Sequence, residues 1–313
     1  VKGLKMMSIR TIVSLTIALV ALWGSSQAQI IAPQGQTVVS GNGIEYHGGP
    51  VMINPHNIYL VWYGDWNGNS ATTILPDFFS SLDHSPYFYT NTTYSDGNGN
   101  VILPTVTLGA QFFDFYSQGS TLNNQSLINI VSSAIVDGDL PLDANGIYFV
   151  LTSADVAEIQ SGSAFCTQAC GFHNRTTIFS TDIKFAFVGN PDQCPSSCFE
   201  RSPSPNGNSG ADAMALTIAH ELNETVTDPD LNAWFHFNLG GEVGDLCHPN
   251  NVPFLETFAT SNGALANVFL GDRAYLIQSN FVNLPSPQGG CQMRLSILPP
   301  GWVGVYQTLI AAF

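Results

Sequence analysis

His220-Glu221-Leu222-Asn223-Glu224 is the stretch whose residue types and spacing suit chemistry. Residues four apart share one face of a helix, so His220 and Glu224 can reach a single ion. Zinc accepts both imidazole nitrogen and carboxylate oxygen. Glu221 falls where H-E-x-x-H zinc hydrolases keep their general base. The spacing therefore predicts Glu221 as the catalytic group and His220 and Glu224 as metal ligands. A third ligand must come from elsewhere. The segment 240–247, GGEVGDLC, offers Glu242 and Asp245. Asp230 competes, ten residues after His220. Compact H-E-x-x-H-x-x-G-x-x-H/D sites use that offset, but here Thr227 stands where they carry glycine and Pro229 intrudes. Asp228 is expected to satisfy backbone groups at the helix end. The expected cofactor is a divalent metal, zinc ahead of calcium or manganese. One histidine with two carboxylates is nevertheless a set that the harder ions accept. The competing reading is a hydrogen-bonded core network with no metal.

The motif needs a buried helix. Residues 211–227 supply one, with Met214, Leu216, Ile218, Ala219, Leu222 and Val226 giving a wide apolar surface. Ser209 is the expected cap and Pro229 the stop. Short apolar, β-rich runs at 58–63, 101–108, 147–151 and 185–188 predict strands, and 74–82 and 125–135 have helical spacing. No linker divides the chain. The predicted fold is α+β: a single domain over 29–313, with a mixed β-sheet, a buried zincin-like HExxE helix and disulfide-linked loops.

Residues 1–28 carry Lys2, Lys5 and Arg10, then an apolar run at 12–23, then Ser26-Gln27-Ala28. This pattern predicts a secretory signal peptide cut after Ala28. The remainder holds five basic against 23 acidic residues, a formal charge of −18. Such a surface repels phosphate backbones and anionic lipids, so neither nucleic acid nor membrane is an expected partner of the mature form. Six cysteines in an exported chain predict three disulfides, with the pairing open. Zinc held by the two C-x3-C pairs is the rival use.

Other candidates have blander expectations. His173, close to Cys170, is expected to be structural. Trp62 and Tyr63, inside an apolar run, are expected in the core rather than stacked on sugars. Asn91, Asn124, Asn174 and Asn223 begin N-x-S/T sequons, the last inside the motif helix. Segments 30–46 and 304–313 look able to add strands to a neighbour's sheet, which would give self-association.

Four blocks in order carry a family resemblance: HGGP leading into INPHNIYLVWYGDW, YFVLTSA before the CGFH run, FAFVGNPDQCPSSC, and DAMALTIAHELNETVTDP. Together they resemble the exordium-like, phosphate-induced family of secreted proteins, in the microbial branch that carries a HELxE helix followed by an acidic E-x-x-D-x-C loop. That resemblance implies an extracellular or cell-surface protein and places the third ligand in the acidic loop, at Asp245 by preference. Two functions remain in competition. The first is a secreted metallohydrolase, most simply a peptidase, in which Glu221 is the base and a metal-activated water the nucleophile. The second is a non-catalytic cell-wall or extracellular-matrix protein that binds glycans or assembles with itself.

Overall fold

In the computed structural model, residues 43–160, 164–236 and 241–295 are described. The expected signal segment 1–28, most of the proposed strand-adding arm 30–46, Gly240 and the tail 296–313 lie outside them. Five strands form the central sheet: β1 (His56–Tyr63), β2 (Val106–Asp114), β3 (Gly146–Thr152), β4 (Gly171–Ile178) and β5 (Thr181–Gly189). Their order is β2-β1-β3-β5-β4. β1, β2, β3 and β5 run parallel, and only the edge strand β4 is antiparallel. The sheet is thus mixed, as expected.

Parallel neighbours need crossovers, and helices supply them. Helix α1 (Ala71–Ser80) joins β1 to β2, α2 (Asn124–Val136) joins β2 to β3, and α3 (Ser209–Thr227) follows β5. Alternation along each strand then sorts the core into two layers. Ile58, Leu60, Trp62, Phe149, Leu151 and Val188 pack with α1 and α3. Tyr59, Val61, Tyr63, Tyr148, Val150 and Phe187 pack with α2. Trp62 and Tyr63 are completely buried, which makes them core residues.

The strand expected at 101–108 starts later, because Pro104 has no N–H to donate and Val101 makes only an isolated bridge to Ser95. β4 is a strand that the sequence pattern did not reveal. It forms a hairpin with β5 through Phe179 and Ser180, both at positive φ (47° and 65°). Two-residue hairpin turns of this kind favour Asn-Gly, which is absent here. The cysteines pair as Cys166–Cys194, Cys170–Cys198 and Cys247–Cys291, leaving no free thiol. This rules out a thiolate zinc site. No helix among the described residues is long and apolar enough to cross a membrane. Glu45–Tyr46, the described end of the N-terminal arm, pairs with Trp234–Phe235 of the same chain.

Candidate metal centre

Helix α3 is capped by Asn208 rather than Ser209: the Asn208 side chain accepts from Ala211 N at 3.0 Å. The same side chain donates to Asn69 and Ser70, which ties the start of α3 to the start of α1. Every residue of α3 is buried except Ser209 and His220. Polar groups on its later turns therefore have to find partners inside the protein. Asn223 does so by accepting from Asn91 and donating to the Tyr87 hydroxyl. The sequons at Asn91 and Asn223 are therefore locked in the interior. Asp228, as expected, accepts from the amides of Asn232 and Ala233 just past the helix.

His220, Glu221 and Glu224 project from the last turns of α3. His220 Nε2 lies 3.1 Å from Glu224 Oε1 and 3.6 Å from Asp245 Oδ1. The three offer donor atoms within 4.8 Å of one another. Gln278 fixes the imidazole. Its amide nitrogen donates to Gly244 O at 2.9 Å, so its oxygen faces His220 Nδ1 at 3.0 Å and accepts that N–H. Nε2 then faces the carboxylates, donating to Glu224 when protonated and free to ligate a cation when not, the orientation that metal-binding histidines use. Glu224 Oε1 is held by the amides of Gly244 and Asp245, at 3.1 Å each. Asp230 is elsewhere: it pairs with Lys184 and Arg175, so it is no ligand competitor.

His173 corrects the sequence expectation. β4 turns it toward α3, where Nε2 is 3.3 Å from Glu242 Oε2 and 3.9 Å from Glu224 Oε2. It belongs to the acidic cluster as well as to the disulfide's neighbourhood. His173, Glu224 and Glu242 form a second group of donors within 4.8 Å. His173 Nδ1 and Glu242 Oε1 are buried without a hydrogen-bond partner. An unsatisfied buried carboxylate oxygen such as Glu242 Oε1 suits a cation. The residues present thus fit a bound divalent metal.

The electrostatics agree. Burial opposes charge on His220, but Glu224, Glu221 and Asp245 raise its pKa well above the ordinary value. His173 likewise resists burial and is raised to about 9, chiefly by Glu242. Burial pushes Glu221 up to about 8, against the pull of His220, and Glu242 to about 7. Burial also works against Glu224, yet His220 holds its pKa below the usual value.

A cleft of about 480 Å³ opens over this wall. His220, Glu221, Asp245, His248 and Gln278 line it, and the Cys166–Cys170 and Ser196–Phe199 loops form its rim. Gly171 of β4 sits against Glu221: a Cβ there would lie 3.2 Å from Glu221 Oε1. Gly189 N donates to Cys170 O, and the β4–β5 register then directs the N–H and C=O of Gly171 and His173 away from β5, toward the open edge.

Residues 44–250 match the conserved region of phosphate-induced protein 1. "Protein EXORDIUM-like 3" of Arabidopsis thaliana is 35% identical over 234 residues, which is 65% of this chain and 68% of that protein. "Protein EXORDIUM-like 5" of the same plant is 33% identical over 236 residues, 65% of this chain and 63% of its own length. "Protein PHOSPHATE-INDUCED 1" of Nicotiana tabacum is 28% identical over 222 residues, 61% of this chain and 67% of that protein. The matches thus span about two thirds of each relative. No solved structure matches the chain. With the conserved region covering most of the sheet, helix α3 and the acidic loop, the chain belongs to the phosphate-induced, exordium-like family.

Proposed function

We propose that the chain is an extracellular metal-dependent hydrolase that acts on peptides. His220, Glu224 and Asp245 would hold a divalent ion, with zinc preferred. One observation carries this reading: these three donors converge, and two of them, His220 and Asp245, line a cleft that Glu221 also lines. A divalent ion there supplies Lewis acidity to a polarised substrate oxygen and to water. Gln278 keeps Nε2 of His220 available as a donor. Glu221, next to His220 on the helix and lining the same cleft, would serve as general base. The outward backbone groups of Gly171 and His173, beside Glu221, can pair with an extended peptide as an added strand. That feature favours peptides over other substrates. Three disulfides suit an oxidising, extracellular location.

The test is metal analysis of protein purified without chelators, together with cleavage of a fluorogenic peptide panel. Stoichiometric metal with activity that collapses in Glu221→Gln is expected. Protein that holds no metal under these conditions, or activity indifferent to Glu221→Gln, refutes it.

The matrix-protein alternative draws on the opposite edge of the sheet. β2 is exposed along most of its length, and Phe113 and Phe115 at its end are 60% and 76% exposed. An open edge with exposed aromatic residues can pair copies of the chain or stack on glycans. Light scattering across a concentration series would detect the first, and glycan-array binding the second.

A further inference from the structure

We propose that Glu224 bridges two divalent cations, one held with His220 and Asp245 and the other with His173 and Glu242. The first cation is that of the reading above, and the second goes beyond it.

The two oxygens of Glu224 face different histidines. Oε1 lies 3.1 Å from His220 Nε2, and Oε2 lies 3.9 Å from His173 Nε2. Each histidine also has its own second carboxylate: Asp245 at 3.6 Å from His220 and Glu242 at 3.3 Å from His173. The cluster is two triads sharing one residue. Among the described residues, no group of donors within 4.8 Å of one another contains both histidines. Two ligands bound to one zinc at ~2.1 Å can be no more than about 4.2 Å apart. One ion therefore cannot collect both imidazoles without rearrangement, whereas two ions on a shared carboxylate can. Bridged pairs in two-metal sites lie about 3.5–4 Å apart.

Charge points the same way. Glu221, Glu224, Glu242 and Asp245 put four carboxylates in one place, facing two histidines that a metal would keep neutral. Two divalent ions match the charge of the four carboxylates when all are ionised. Isolated buried charge is costly enough to matter here. The donors left over after the first ion include His173 Nε2 and the unpartnered Glu242 Oε1.

The two positions differ in access. The side chains of His173, Glu224 and Glu242 are 3%, 5% and 16% exposed, while Asp245 is 49% exposed. The inner position is closed, as structural sites are, and the outer one opens to the cleft, as catalytic sites do.

The test is native mass spectrometry of the chelator-stripped full chain titrated with Zn²⁺, with Co²⁺ spectra in parallel. Two equivalents are expected, the outer one stripped faster by chelator. His173→Gln and His220→Gln should each retain one, and Glu224→Gln should lose most of both. Thermal unfolding checks that the variants fold, and Glu242→Gln replaces His173→Gln if that chain does not. A single equivalent that survives His173→Gln and is lost in His220→Gln overturns the second site and leaves the first reading standing. A single equivalent lost in either histidine variant shows one shared ion and overturns the bridge. No uptake at all overturns both.

Discussion

Glu221 is 4% exposed and its pKa is pushed to about 8, from an ordinary 4.5. Glu221→Gln keeps size and hydrogen-bonding capacity while removing the ionisable group. In metal-free protein at pH 7 the wild-type side chain must keep a proton that it would lose in the unfolded chain. Over the 2.5 pH units between 4.5 and 7, at about 1.4 kcal/mol each, that costs about 3 kcal/mol as an upper figure. The sign follows from linkage. The folded state binds the extra proton between the two pKa values, so this residue's contribution falls as pH rises from 4.5 toward 8. The glutamine variant has nothing to titrate. It should unfold in urea at a higher midpoint than wild type at pH 7, and the advantage should vanish near pH 4.5. Peptide cleavage by the metal-loaded variant should fall by about a hundredfold or more, as for a lost general base. A more stable but inactive protein is the expected pairing. Equal stability at pH 7, or an advantage that grows toward acid, would refute the account of Glu221 as a carboxylate destabilised by burial.

Other substitutions probe the frame around the site. Gly171→Ala would place a Cβ 2.6 Å from Phe187 O and 2.7 Å from Thr217 Cγ2, so chemical denaturation should show a loss of about 1–3 kcal/mol. Asp230→Ala strips one of two carboxylate partners from Lys184, whose side chain is only 6% exposed and which keeps Asp182. It should cost about 1–2 kcal/mol while leaving metal content unchanged, and loss of metal would reinstate Asp230 as a ligand. Ser180→Gly relieves a positive φ of 65° in the β4–β5 turn and should raise the urea midpoint, by about 1 kcal/mol.

Much of the frame was legible because it rests on short-range patterns. The helix at 211–227 and the apolar runs of β1, β3 and β5 lie within two to four residues of their expected bounds. They are buried on both faces, and continuous apolar sequence signals that directly. His220, Glu224 and Asp245 were placed together by helical spacing and by a family resemblance. His173 was not, for an identifiable reason. Its strand is an edge strand with polar Asn174, Arg175, Thr176 and Thr177, and its hairpin turns through Phe179-Ser180 without a turn signature. With the strand hidden, nothing in the sequence could set that imidazole opposite a helix some 50 residues away. Alternation around a candidate turn was the one available signal, and Phe179 obscured it. The cap was missed by one residue, since Asn208 and Ser209 are both good N-caps and the choice fell to Asn208, which also reaches α1.

The covalent frame and the acidic site explain one another. Cys170 directly precedes β4 and is tied to Cys198, while Cys247 lies two residues past Asp245 and is tied to Cys291. The disulfides thus anchor both segments that bring charge up to α3. Glu224 and Asp245 offer oxygens within 4.8 Å of each other, a repulsion of about 3–4 kcal/mol at an effective dielectric near 20. Without a cation such loops gain by moving apart. Closing loops of 28 and 44 residues restrains the unfolded chain by about 4 kcal/mol each, comparable to that repulsion. The acidic cluster can therefore stay assembled in the metal-free state, ready for ions to bind.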